Sequence, residues 1–283
     1  MSINLLNLKT KKNKSNSKNQ IKIDDLKSNF NIINDLKRID CIIHLAALAH
    51  NNFSDEDIYD VNVKSVMKLS NQAAKANVKK FIFLSSIKVY GETSKDNQEF
   101  NEESETSPQT SYAKAKLEAE RYLLQISQKT NLKISIIRSP LVYGKNAKAN
   151  LKKLYYLIEK KIPIPKTRKS NLRSFIAIDN FLDFIVKCIY SSETSNKIFC
   201  VADEKDISTH NFFELIASSI NRKIYYIHFN SKIIHFMFYI IGRKKMFDSI
   251  FSNHRVSIEK ARLKLNWKPV ITTEQAIKKY FTK

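Results

Sequence analysis

Tyr112 and Lys116 stand four residues apart in TSYAKAKLEAE, Thr110–Glu120. Side chains at i and i+4 lie on one helix face, so a phenol and an ammonium would sit side by side. A free Tyr titrates near ~10 and transfers protons poorly at neutral pH. A nearby ammonium favours the phenolate and draws that value toward neutrality. Such a pair can give a proton to a hydroxyl oxygen or take one from it. The same spacing also arises on an ordinary helix surface in a Lys-rich chain, so the pair alone leaves both readings open.

The surrounding elements decide what the pair can face. CIIHLAALA, Cys41–Ala49, is an apolar run of the kind that forms a parallel strand buried on both faces. A helical stretch follows over about Asp55 to Ala76, with Val63, Met67, Ser70 and Ala74 on one face. KFIFLSS, Lys80–Ser86, is a second buried strand. A polar loop leads to the helix carrying Tyr112, and KISIIRS, Lys133–Ser139, is a third strand. Strand and helix alternating at this rhythm predict an α/β fold with a parallel sheet. IKIDDL, Ile21–Leu26, reads as a short strand and turn. Beyond about Lys148 the pattern loosens into a smaller, mixed lobe. RSFIAIDNFLDFIVKCIY runs from strand into helix, KIFCVA and KIYYIHF read as strands, and two helices close the chain around Pro269. The expected division is a polar basic tail over 1–20, a cofactor domain over 21–148, and a substrate lobe over 149–283, parts of which return to the sheet.

Four pieces in chain order, HLAALAH, FIFLSSIKVYG, SYAKAKLEAE and IIRSPLVYG, are joined later by RSFIAIDNFLDFI and LNWKP. Together they resemble the extended short-chain dehydrogenase/reductase family, the NAD-dependent nucleotide-sugar epimerases and reductases. The resemblance runs from about Ile21 to the end. It implies a Rossmann-like, doubly wound parallel sheet, NAD or NADP as cofactor, and a nucleotide-sugar substrate. It assigns proton transfer to Tyr112, the tuning of Tyr112 and a contact with the nicotinamide ribose to Lys116, and a hydrogen bond to the same sugar oxygen to Ser86. It places the backbone at Ala46 and Ala47 close to the cofactor and Asp25 at the adenine. It gives Asn150 and Arg173 to the substrate diphosphate, where a guanidinium suits phosphate oxygens. Asp25 is as readily a turn residue after a strand. His44 is read as packing at its strand end, and Ser85 and Tyr90 as packing or loop residues. Homodimers through a two-helix face are a habit of that family.

The chain departs from the family in one place. The Gly-rich turn that lays a cofactor pyrophosphate on a helix N-terminus is not found: the glycines are Gly91, Gly144 and Gly242. The expectation is therefore an N-terminally truncated Rossmann-like domain. A start that lies upstream and a decayed copy are the favoured explanations, ahead of strands supplied by another chain. Accordingly, the 283-residue polypeptide is expected to bind NAD(P) weakly or not at all. Micromolar NAD(P)H binding by a purified sample would contradict this.

The resemblance also narrows the reaction. Family dehydratases carry Asp-Glu after the catalytic hydroxyl residue, where this chain has Ile87 and Lys88, which argues against dehydration. UDP-galactose-type epimerases carry Asn at the position of Leu141. SSIKV with PLVYG and KAN points instead to reduction of a UDP-4-keto-6-deoxy-N-acetylhexosamine at C4, in surface polysaccharide biosynthesis. A UDP-hexose 4-epimerase is the alternative. A non-catalytic remnant that binds a nucleotide sugar or an acidic partner is the third reading.

Composition excludes little and adds some limits. The net charge is +22, yet only 9 of the 49 basic residues are Arg. Groove and phosphate readers favour the Arg fork, so charge alone does not make a nucleic-acid binder. Cys41, Cys188 and Cys200 are scattered and odd in number. They show no zinc spacing or disulfide framework, which suits a cytoplasmic protein. The histidines show no metal-ligand spacing. IIHFMFYII, Ile233–Ile241, falls well short of the ~20 residues of a membrane span and reads as a buried helix. A membrane-surface contact is its minor alternative, because Arg243, Lys244 and Lys245 follow. The first twenty residues hold no apolar core of the signal-peptide type.

Overall fold

The computed structural model describes residues 26–27, 30–49, 53–94, 98–144, 156–165, 171–227 and 252–282. The expected strand at Ile21, the Ile233–Ile241 helix, Asp25 and Asn150 lie outside the described residues.

The main sheet holds four strands in the order β1-β2-β3-β6: β1 Cys41–His44, β2 Lys80–Ser86, β3 Lys133–Ser139 and β6 Lys197–Cys200. β1 runs parallel to β2, with Cys41 opposite Lys80 and His44 opposite Phe83. Two shorter strands, β4 Leu141–Tyr143 and β5 Phe175–Ala177, pair in parallel outside this sheet. β1 is shorter than its apolar run. Leu45–Ala49 leave the sheet because the Asn62 side chain claims the backbone of Leu48. Asn62 Nδ2 donates to the Leu48 carbonyl at 2.9 Å, and its Oδ1 accepts the Leu48 N–H at 2.8 Å.

The helices on the site's side of the sheet follow from their caps and faces. α1 is a single turn, Ile33–Leu36. Ser54 caps α2, Asp55–Tyr59, by accepting the Asp57 N–H at 3.0 Å. A π turn over Asp60–Lys64 carries the chain straight into α3, Ser65–Lys75, and points Asn62 inward. Wide turns of this kind often sit at functional sites. Thr110 caps α4, Ser111–Lys129, by accepting the Ala113 N–H. Tyr59 donates to Glu118 at 2.9 Å, and Ser111 donates to Asp55 at 2.6 Å, tying α2 to α4. Beneath them Ile42, Phe81, Phe83, Val66, Leu69, Ala119 and Leu123 share one buried cluster. Each large apolar side chain removed from water there contributes roughly 1.5–3 kcal/mol.

The chain divides into two compact units that interleave along the sequence. The first holds residues 1–90, 105–138 and 185–199. In it Lys80 donates to the carbonyls of Cys188, Ile189 and Ser191 at 2.7, 3.3 and 2.7 Å. A cation there satisfies the last carbonyls of α5, Ile178–Tyr190. The second unit holds residues 91–104, 139–184 and 200–283. Its buried hub is Asp203, which accepts from Tyr143 Oη at 2.6 Å, Asn180 Nδ2 at 2.7 Å, Thr273 Oγ1 at 3.0 Å and the Ala177 N–H at 2.9 Å. Gly144 packs directly on Ile178: an added Cβ would stand 2.5 Å from Ile178 Cγ2. Among the described residues the unit also holds α6, Thr209–Ser219, α7, Glu259–Leu265, and α8, Thr273–Phe281. Asn266 ends α7 in the left-handed region, and Thr272 with Gln275 forms a capping box on α8. Among the described residues no helix is long and apolar enough to cross a membrane.

Candidate active site

α4 buries Lys116, Ala119, Glu120 and Leu123, the i, i+3, i+4, i+7 stripe that normally carries apolar side chains. Two charged residues on that stripe demand a reason. Lys116 is 1% exposed, and its Nζ donates to the carbonyl oxygen of Leu84 at 2.8 Å. The ammonium lies 4.4 Å from the centre of the Phe83 ring and 5.9 Å from that of Tyr112. Leu84 is two residues before Ser86, so Lys116 meets the C-terminal end of β2, with the Tyr112 ring beside it. Ser86 is half-buried there and accepts the Lys88 N–H at 3.2 Å.

The electrostatics differ from expectation in one respect. Burial pushes the Lys116 ammonium down to about 7, opposed by the charge of Glu120. Burial also pushes the Tyr112 phenol up to about 12, not toward neutrality. The ammonium sits over the ring and is committed to the Leu84 carbonyl, so it does not reach the phenolic oxygen. An ammonium has three donors and Leu84 takes one, which leaves capacity for a ligand hydroxyl.

Sequence reasoning missed what stands behind the lysine. Arg138 Nε donates to both Glu120 oxygens, at 3.1 and 3.2 Å, and its Nη2 to Oε2 at 2.6 Å. Arg138 Nη1 donates to Tyr90 Oη at 2.7 Å, and the guanidinium lies 4.7 Å from the Tyr90 ring centre. Tyr90 is therefore part of a buried polar network and more than loop packing. Contact with Glu120 holds Arg138 above its ordinary value despite burial. The signal was available: Glu120 is one turn beyond Lys116 on the same face, and Arg138 lies in a strand buried along nearly its whole length.

The remaining positions are placed as follows. His44 is buried against Phe81 and Phe83, with ring centroids at 5.9 and 5.7 Å. Burial, then Lys116, push it down to about 3, so it is neutral. Both its ring nitrogens, and the Ser85 hydroxyl, find no partner among the described residues. Ala46 and Ala47 are half-buried in the segment that Asn62 holds beyond β1. Arg173 belongs to the second unit, where its Nη1 donates to the Ser252 carbonyl at 3.2 Å and burial pushes it down to about 10. Among the described residues no group of His, Cys, Asp and Glu is arranged to hold a metal.

A dinucleotide cofactor fits this first unit at one end. Spare donors on Lys116 and the small Ala46–Ala47 segment, at the C-terminal ends of β2 and β1, suit a ribose and a nicotinamide. For the diphosphate end, the described residues offer no Gly-rich turn at a helix N-terminus.

Comparison with known proteins agrees on the family. The model of the family described as NAD dependent epimerase/dehydratase matches residues 2–202. A Vibrio cholerae protein named UDP-glucose 4-epimerase is 31% identical over 249 residues, 86% of this chain and 76% of that one. An Escherichia coli O157:H7 protein named N-acetyl-alpha-D-glucosaminyl-diphospho-ditrans,octacis-undecaprenol 4-epimerase is 27% identical over 192 residues, 67% of this chain and 57% of that one. The crystal structure of a Bacillus cereus UDP-glucuronic acid 4-epimerase in complex with NAD superposes with a TM-score of 0.76 at 16% identity, over 94% of this chain and 80% of that one. At that identity the likeness shows the Rossmann-like α/β fold.

Proposed function

The chain belongs to the NAD-dependent epimerase/dehydratase family, and we propose that its Tyr112, Lys116 and Ser86 serve the 4-epimerisation of a nucleotide sugar. NAD or NADP supplies the hydride acceptor and, in the return step, the hydride donor. The Tyr112 oxygen takes the proton from sugar O4 as the C4–H bond breaks, and returns it when the opposite face is reduced. Ser86 Oγ hydrogen-bonds the same O4 and fixes its orientation. Lys116 holds the ribose through its spare donors and keeps a positive charge beside the Tyr112 ring. Arg173 and Asn150 bind the substrate diphosphate in this reading, Ala46 and Ala47 give the cofactor room, and Asp25 meets the adenine. A cytoplasmic location goes with it.

The observation that carries the reading is the buried Lys116 ammonium beside the Tyr112 ring at the end of β2. The names of the Vibrio cholerae and Escherichia coli relatives favour epimerisation over the one-way C4 reduction that the sequence motifs suggested. Reduction remains the second reading because Leu141, exposed on β4, stands where UDP-galactose-type epimerases carry Asn. The two share a half-reaction, since epimerisation contains the reduction as its second step. Dehydration is disfavoured by Ile87 and Lys88.

The test is incubation of the chain with UDP-glucose, UDP-N-acetylglucosamine and UDP-glucuronic acid at millimolar NAD, followed by proton NMR of the anomeric signals. The reading expects the C4 epimer of at least one sugar. Consumption of a UDP-4-keto sugar and NADPH without any epimer would replace it with reduction. No turnover of either kind would sink both.

A further inference from the structure

Lys116 is a cation inside a helix–sheet interface, and something must keep it charged there. The groups around it can be counted by element. β1 contributes His44, which is neutral. β2 contributes the Leu84 carbonyl and the Phe83 ring, which are dipole and quadrupole without net charge. α4 itself contributes Tyr112 on one side and Glu120 on the other. β3 contributes Arg138, whose fork is spent on Glu120. Glu120, one turn on along the same buried face of α4, is thus the carboxylate among the described residues that acts on Lys116. It is 1% exposed and immobilised by three hydrogen bonds from a guanidinium that is itself 4% exposed and anchored on Tyr90.

We propose that Glu120, pinned by Arg138 and Tyr90, is a positioning residue that keeps Lys116 an ammonium beside Tyr112 at neutral pH. The proposal rests on the assignment of proton transfer to Tyr112 and Lys116, and extends it one helical turn. A buried salt bridge is a poor source of net stability, because desolvation offsets the attraction. A fixed, oriented carboxylate is however well suited to setting the protonation of a neighbour in a medium of low dielectric. Arg138 serves two ends here. It cancels most of the cost of burying Glu120, and its bidentate geometry fixes where the carboxylate points.

The experiment is a titration of the lysine side chains by carbon-13 NMR at Cε. The Lys116 resonance is assigned by its loss in Lys116→Met. Glu120→Gln leaves the shape and removes the charge, so the Lys116 midpoint is expected to fall by about one pH unit. Glu120→Gln also leaves Arg138 without its carboxylate partner, so a second variant free of that mismatch is measured beside it. The double variant Glu120→Gln/Arg138→Met removes both buried charges, and its midpoint is expected between those of Glu120→Gln and the unsubstituted chain. In activity, the alkaline limb of kcat/KM should move to lower pH in step with the midpoint. A role confined to structure would lower the plateau and leave the limb in place. A midpoint that stays put in Glu120→Gln, or that does not fall in the double variant, overturns the proposal. The NMR midpoint is read without turnover, so an inactive chain would count against the proposed function and not against this inference.

Discussion

Tyr112→Phe is expected to lower kcat for sugar turnover by about 10³-fold, within the 10²–10⁴ range typical of a lost proton-transfer group. The folded chain should hardly notice. The ring is half-buried against α4's neighbours, and its oxygen makes no hydrogen bond among the described residues. Phe therefore keeps the packing and removes one exchangeable proton, and thermal stability should change by no more than about 0.5 kcal/mol. Steady-state kinetics paired with a melting curve checks this. Retention of more than a tenth of kcat would take Tyr112 out of the chemistry. A large drop in melting temperature would mean that the oxygen is structural.

Lys116→Met should separate activity from stability even more sharply. Loss of the ammonium is expected to cost turnover roughly 10²–10³-fold, because the phenol, already pushed up to about 12 by burial, loses the cation beside its ring. The folded state should gain. Lys116 falls from 10.5 to about 7 on burial, so below pH 7 the folded chain carries a desolvated charge that the unfolded chain keeps hydrated. Between pH 7 and about 10.5 the unfolded chain binds the extra proton, and stability rises with pH. The variant lacks this dependence. Its advantage should be greatest at and below pH 7 and shrink as pH approaches 10.5. After allowance for the Leu84 carbonyl left without its donor, a gain of about 1–3 kcal/mol is expected at pH 7. Chemical denaturation at several pH values reads it directly. A variant less stable than the parent at pH 7, or a gap that widens with pH, would contradict the reading of Lys116 as a strained functional cation.

The fold was legible where apolar runs met turn chemistry. KFIFLSS and KISIIRS became β2 and β3 at the expected bounds, because both faces of those strands are covered. CIIHLAALA was only half strand. Its second half is pulled out by Asn62, whose inward aim depends on a π turn that periodicity does not reveal. The proximity of Tyr112 and Lys116 follows from their spacing. The direction of the Tyr112 shift does not, since it depends on where the ammonium donates, and a carbonyl from β2 competes with the phenol. Glu120 was readable in principle as a second charge on a buried helix stripe. Its partner Arg138 comes from a strand 18 residues away, and only folding brings the two together. Asp203 is a similar case: its four partners come from three separate segments, and no motif marks it.

In the proposed reaction Tyr112, with Lys116 beside it, moves a proton at sugar O4 while a hydride leaves and returns at C4. A UDP-sugar carrying deuterium at C4, incubated with the chain and millimolar NAD, tests it most directly. The account predicts a product inverted at C4 that retains its deuterium, formed by the parent chain and not by Tyr112→Phe. An inverted product in which solvent hydrogen has replaced the label, or equal inversion by Tyr112→Phe, would contradict it.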